Sequence, residues 1–197
     1  MPHRDCFAAI DFETADYGRD SACAVALVKV ENDRIVDREF SLIRPPRREF
    51  VFSYLHGITW DMVRNAPTFG DLWPGLERWL RGVEFLAAHN ASFDRGVLEA
   101  CCRGAGLAVP EYPFECTVRM ARSVFGIYPT RLDCVCGALG IPLVHHQADS
   151  DAEACARIVL QARKQDAAAA ARSGAYTKSC RSAFSQARDR HSSRVRE

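Results

Sequence analysis

Residues 7–14 read Phe7-Ala8-Ala9-Ile10-Asp11-Phe12-Glu13-Thr14. Four apolar residues run directly into two carboxylates, the pattern of a buried strand whose end meets a site. In a strand, positions i and i+2 project to one face. Asp11 and Glu13 therefore point together, while Phe12 turns the other way. Two adjacent anions at the end of an apolar strand repel each other and lose hydration, which is costly unless a cation sits between them. Mg2+ and Mn2+ are hard ions that prefer carboxylate and water oxygens. A lone Asp-x-Glu also fits a solvated strand end, so the pair needs support from elsewhere in the chain.

Outward from this strand, 22–30 is rich in Ala and Val and meets 35–43 across Glu31-Asn32-Asp33-Arg34, a hairpin with Asn32-Asp33 at its turn. Arg44-Pro45-Pro46-Arg47-Arg48 then breaks regular structure. From Thr59 the period lengthens. Leu72, Leu76, Leu80 and Val83 recur near helical spacing, with Pro74 tolerated only near the first turn or at a kink. The stretch 83–88 has the make-up of a buried strand. Ser92 is suited to cap a helix that carries Phe93, Val97 and Cys101 on one face and closes at Gly104 or Gly106. A short strand near 114–116, helices over 118–125 and 132–139, and a last helix from about residue 150 to 171 follow. A meander succeeded by alternating strands and helices predicts an α/β domain with a mixed central sheet. Trp60, Trp73 and Trp79 are assigned to packing.

The chain has 197 residues, of which 48% are hydrophobic, and a net charge of +1. That small net charge conceals two unlike parts. Residues 1–162 hold 17 basic and 22 acidic residues, a net of −5, whereas 163–197 hold nine and three, a net of +6. An acidic body argues against broad electrostatic binding of nucleic acid unless metal ions neutralise some of its carboxylates. The expected organisation is one domain over 1–162, then an Ala-rich helical extension and a basic, disordered tail over 163–197. The nine cysteines form no regular framework, and residues 1–9 contain no apolar run of a signal peptide. No stretch is apolar enough to cross a membrane. A reducing cytoplasm is the expected compartment. Cys134, Cys136, His145 and His146 raise the question of zinc, but a single residue separates the two cysteines, and they read as small core residues.

Two further segments carry chemistry. In His89-Asn90-Ala91-Ser92-Phe93-Asp94, the acid lies in the first turn of a helix that follows an apolar strand. The helix dipole alone favours a carboxylate there; the polar His89-Asn90 step at the strand end fits a site, since α/β sheets place sites at that edge. In His146-Gln147-Ala148-Asp149-Ser150-Asp151-Ala152, an imidazole precedes a helix and an acid lies in its first turn, so both can face one point. A histidine titrates in the range needed to take a proton from water near neutrality. His145 competes for that role.

The three segments together resemble the three motifs of the DEDDh (DnaQ-like) 3′–5′ exonuclease family, which contains the proofreading epsilon subunit of bacterial DNA polymerase III and RNase T. The likeness spans roughly residues 5–162, in the family's order, and includes His56-Gly57-Ile58-Thr59, similar to a loop beside the terminal base. The resemblance implies a ribonuclease-H-like α/β fold, a five-stranded mixed sheet flanked by helices. It implies that Asp11, Glu13, Asp94 and Asp151 hold two divalent ions, Mg2+ or Mn2+, with Asp11 between them. It selects His146, by the spacing His-x-Ala-x-x-Asp, as the proton acceptor, and nucleoside 5′-monophosphates as products. Phe12, Thr14, His56, Ile58, Asn90 and Phe93 would touch the terminal sugar or base, although Phe12 and Phe93 suit the core equally. The substrate would be single-stranded 3′ ends of DNA or RNA, and the partner a polymerase or other repair protein, with no membrane involved. A nuclease-fold subunit or nucleic-acid-binding module active only within a larger complex is the alternative.

Overall fold

The computed structural model describes residues 6–169. The chain divides into two units, residues 1–160 and 161–197. In the second, residues 161–169 are helical, and the disorder expected for the basic tail concerns residues outside the described ones.

In the first unit, β1 (Cys6–Thr14), β2 (Ala22–Glu31) and β3 (Arg34–Leu42) form the expected antiparallel meander. Asn32 and Asp33 both have positive φ, 50° and 59°, which a two-residue hairpin requires of its central pair. Two parallel strands complete the sheet, β4 (Leu86–Ala88) and β5 (Phe114–Cys116), in the order β3-β2-β1-β4-β5. This is the five-stranded mixed sheet that the family resemblance implied. β4 is shorter than the apolar run suggested: a turn at residues 81–82 precedes it, and residues 84 and 85 lead into the strand, with Glu84 N–H donating to the Cys6 carbonyl at 2.9 Å and the Phe85 carbonyl accepting the Ala8 N–H at 3.2 Å.

Two one-turn helices, α1 (Ser53–His56) and α2 (Trp60–Val63), follow the Pro-Pro break. Neither was expected, since four residues are too few to show a helical period. α3 (Phe69–Trp79) opens with a capping box between Thr68 and Asp71. Pro74 lies inside α3, beyond its first turn, where its missing N–H removes one rung of the ladder. α4 (Ser92–Gly104) starts at Ser92 itself, so Ser92 is not the cap. Its hydroxyl donates instead to Asn90 Oδ1 at 3.2 Å. α5 (Thr117–Ser123), α6 (Leu132–Leu139) and a helix over 148–160 complete this unit.

Side-chain alternation along β1 separates two cores. Cys6, Ala8, Ile10 and Phe12 pack with Trp73, Leu76, Val97 and Leu98 beneath α3 and α4. Phe7 and Ala9 face the other way, against Ala148, Ala152, Cys155 and Ala156 of the final helix. Alanine at 148, 152 and 156 recurs every four residues, a stripe without bulk that brings this helix backbone close to the sheet. Asp11 and Glu13 continue the Phe7–Ala9 face, so the sheet delivers them to the start of that helix.

Candidate active site

β1 positions the first two acids. Its pairing with β2 shifts between Glu13, opposite Ala24, and Thr14, opposite Ala22, leaving Cys23 as an extra residue. Such bulges bend a strand and re-aim its side chains, often beside a site. The final helix supplies the third acid. Oxygens of Asp11, Glu13 and Asp151 lie within 4.8 Å of one another. Asp94, in the first turn of α4, reaches the cluster from the other direction. Its Oδ1 accepts the Phe12 backbone N–H at 3.1 Å, from the residue between the two β1 carboxylates.

All four acids hold their protons unusually tightly. Burial, then Asp94, Glu13 and Asp151, pushes the Asp11 carboxyl well above the ordinary range. Burial, followed by Asp151 and Asp94, raises Glu13 to about 8. Asp94 also rises to about 8 through burial, against the opposing effect of the Phe12 N–H. Burial raises Asp151 as well, resisted by His145 and the His146 amide. Anions packed in this way are stabilised by a divalent cation, and the donor set, all carboxylate oxygen, is what a hard ion selects. The residues present fit such a group.

The histidine loop is held by the helix that follows it. Val144 N–H donates to Ser150 Oγ at 2.8 Å, and His146 N–H donates to Asp151 Oδ2 at 3.1 Å. His146 adopts a left-handed backbone, φ 66°, at this turn. His145, the competing candidate for proton acceptor, also faces the acids. Its Nδ1 lies 3.1 Å from Asp151 Oδ2, and its ring stacks on His146 with centroids 3.9 Å apart. The doubled histidine was the only sequence signal for this contact. His146 lines a cleft of about 270 Å3 with Glu13, His56, Ile58, Phe40 and Met62. Burial and the neighbouring His145 lower its pKa, which favours the neutral ring. Phe40 and Met62, both about half exposed, were not singled out by sequence.

The remaining expected contacts divide. His56 accepts the Ile58 N–H on Nδ1 at 3.0 Å, so its proton is on Nε2, 3.2 Å from the Thr14 carbonyl. This pins the loop to the end of β1. Thr14 and Ile58 are buried, Asn90 is exposed with φ 65°, and Phe93 is 37% exposed. Phe12 requires correction. It is only 3% exposed and belongs to the core beneath α3 and α4, so its ring offers no face to a base. Its backbone N–H serves the site instead. His89 is taken up structurally, with Nε2 donating to the Thr130 carbonyl and Nδ1 accepting from Thr117 Oγ1, both at 2.9 Å.

The exonuclease family model RNase T matches residues 8–159. The chain belongs to the RNase T exonuclease family. Among members of known sequence, the PolC-type DNA polymerase III of Bacillus cereus is 33% identical over 166 residues, covering 81% of this chain and 11% of the polymerase. The enzyme of Oceanobacillus iheyensis is 34% identical over 157 residues, 77% of this chain and 11% of its own length. The chain thus spans about a tenth of these relatives. Exonuclease X, solved in complex with 5′-overhanging duplex DNA, superposes with a TM-score of 0.67 at 25% identity, over 80% of this chain and 91% of that one. The nuclease domain of 3′hExo, a DEDDh family member solved with rAMP, has a TM-score of 0.71 at 20% identity, over 83% and 94% of the two chains, a likeness of fold. The matched span contains Asp11, Glu13, Asp94, His146 and Asp151. Among the described residues, no helix is long and apolar enough to cross a membrane.

Proposed function

We propose that this exonuclease releases nucleoside 5′-monophosphates from single-stranded 3′ ends of DNA or RNA, using two Mg2+ or Mn2+ ions and His146 as general base. The convergence of Asp11, Glu13 and Asp151 within 4.8 Å carries this reading, with Asp94 brought in by the Phe12 amide. These four acids would hold the ions, Asp11 between them. When bound, the ions neutralise charge developing on the phosphate and acidify water. Asp94, with one oxygen fixed by the Phe12 N–H, keeps its other oxygen for an ion. His146, beside Glu13 in the cleft, accepts the proton of the attacking water. His145 orients Asp151 and sets the ring plane of His146 by stacking. Ile58, Met62 and the pinned His56 wall the terminal nucleotide on the β2–β3 side, while Thr14, Asn90 and Phe93 approach it from the strand ends.

We assign the activity to residues 1–162. The polymerase relatives, of which the chain covers 11%, favour a second reading, in which the chain works as a subunit beside a polymerase or repair protein. Eight described cysteines are free thiols, which suits a reducing cytoplasm. The test is digestion of 5′-labelled single-stranded DNA and RNA by the purified chain in Mg2+ or Mn2+. A ladder shortening from the 3′ end, with 5′-mononucleotides released, is expected. Immediate release of labelled mononucleotide, or cutting of a circular strand, contradicts it.

A further inference from the structure

The sheet register locates a second charged surface. β1, β4 and β5 run parallel, with Ala9 beside Ala87 and Ala88 beside Cys116. Their carboxyl ends share one edge, where Asp11, His89 and the start of α5 stand side by side. Successive strands lie about 4.8 Å apart, so α5 begins roughly 10 Å from the β1 acids. α5 buries Thr117 and Ala121 and turns Arg119 and Arg122 outward, three residues apart on one face. Among the described residues no carboxylate forms an ion pair with either. Arg131, by contrast, is neutralised by Asp133 at 2.7 Å.

The loop after α5 is held against the site. His89, one residue beyond β4, donates to the Thr130 carbonyl at 2.9 Å, and Arg122 Nη2 donates to Thr130 Oγ1 at 3.4 Å. The Arg122 guanidinium also lies 6.0 Å from the ring centroid of Tyr128, which is 71% exposed. Two uncompensated cations and a bare aromatic ring thus border the catalytic edge of a body whose net charge is negative. Positive charge along a groove and aromatic faces for bases are the two components of single-strand binding.

We propose that Arg119, Arg122 and Tyr128 form the track for the strand 5′ to the scissile phosphate, the arginines on its phosphates and Tyr128 against a base. This rests on the 3′-exonuclease reading, which puts the terminal nucleotide on the β2–β3 side and leads the rest of the strand across β4 and β5. These are positioning residues. They govern affinity for substrates long enough to reach them and leave bond cleavage alone.

The test compares the wild-type chain with Arg119→Ala/Arg122→Ala, Tyr128→Ala and Arg119→Glu. Fluorescence anisotropy with labelled ten-nucleotide single strands of DNA and RNA, in Ca2+ across a salt series, gives Kd. Hydrolysis of a dinucleotide, too short to reach the track, gives kcat/KM in Mn2+. For the double variant, Kd for the ten-mer should rise about tenfold and the salt slope should flatten by about 1.4, at ~0.7 per phosphate. Tyr128→Ala should weaken binding about tenfold with the slope unchanged. Arg119→Glu, which breaks no contact with a described residue, should weaken it too. Dinucleotide hydrolysis should stay within about twofold in every variant. Unchanged ten-mer binding in the double variant and Arg119→Glu, or dinucleotide hydrolysis falling in parallel, overturns the track. So does a wild-type chain that binds neither ten-mer. If the wild type binds but shortens no 3′ end, the exonuclease reading fails, while the Kd comparison still decides the track.

Discussion

Asp94 accepts the backbone N–H of Phe12 at 3.1 Å, so an acid on α4 is tied to the peptide between two acids on β1. This bond brings together groups 82 residues apart in the chain. It satisfies one oxygen of a buried carboxylate while the charge itself remains uncompensated. Position and charge are therefore separable.

Asp94→Asn separates them. An amide oxygen still accepts the Phe12 N–H, but the buried anion is gone. In chelator at pH 8 the variant should melt above the wild type. In Mn2+ the order should reverse, and turnover should fall by roughly 10²-fold or more, as for lost electrostatic stabilisation of a transition state. Melting curves in EDTA and Mn2+, with single-turnover rates, check both halves.

Without ions, stability should fall as pH rises from 6.5 to 8. Glu13 and Asp94, raised to about 8, and Asp11, also raised, keep protons in the folded state that the unfolded chain has released. The unfolded state then binds fewer protons, so stability declines with pH until the folded groups ionise. His56, His89 and His146 have lowered values, and their opposite effect ends at the ordinary histidine value of 6.5. Asp16, Asp20, Glu99 and Glu153 are lowered by arginine partners, so their contribution is lost only in acid. Saturating Mn2+ should flatten the decline. A Tm that rises from pH 6.5 to 8 in EDTA contradicts the electrostatic picture of the site.

Much of this was legible in the sequence because it depends on local spacing. The run from Phe7 to Glu13 specified a buried strand and which side chains share a face, and the Asn32-Asp33 turn specified the hairpin. The rest depended on backbone geometry or packing at a distance. α1 and α2 are each a single turn. Pro74 sits mid-helix in α3, whose Trp73 and Leu76 are held in the core. Ser92 bonds Asn90 rather than capping α4. The contact of His145 with Asp151 follows from a left-handed residue at 146, and nothing in two consecutive histidines specifies that turn. Phe12 was ambiguous by composition and was settled by the core under α3 and α4.

The two histidines should separate kinetically. His146→Ala should keep the fold and the thermal response to metal while lowering turnover by ~10²–10⁴-fold, the range for a positioned acid or base. His145→Ala should stay within about tenfold at saturating metal, because His145 touches Asp151 and stacks on His146 without itself lining the cleft. Rates for both variants across a Mn2+ titration decide it. A dead His145→Ala beside a healthy His146→Ala reverses the assignment, and near-full activity in both removes the histidine from the mechanism.

The number of divalent ions the chain binds tests the carboxylate site most directly. Calorimetric titration of the metal-free protein with Mn2+ should give two ions per chain, and Asp11→Ala should lose that binding while remaining folded by circular dichroism. A wild type that binds no Mn2+, or an Asp11→Ala variant that binds two as before, contradicts a site built on Asp11, Glu13, Asp94 and Asp151.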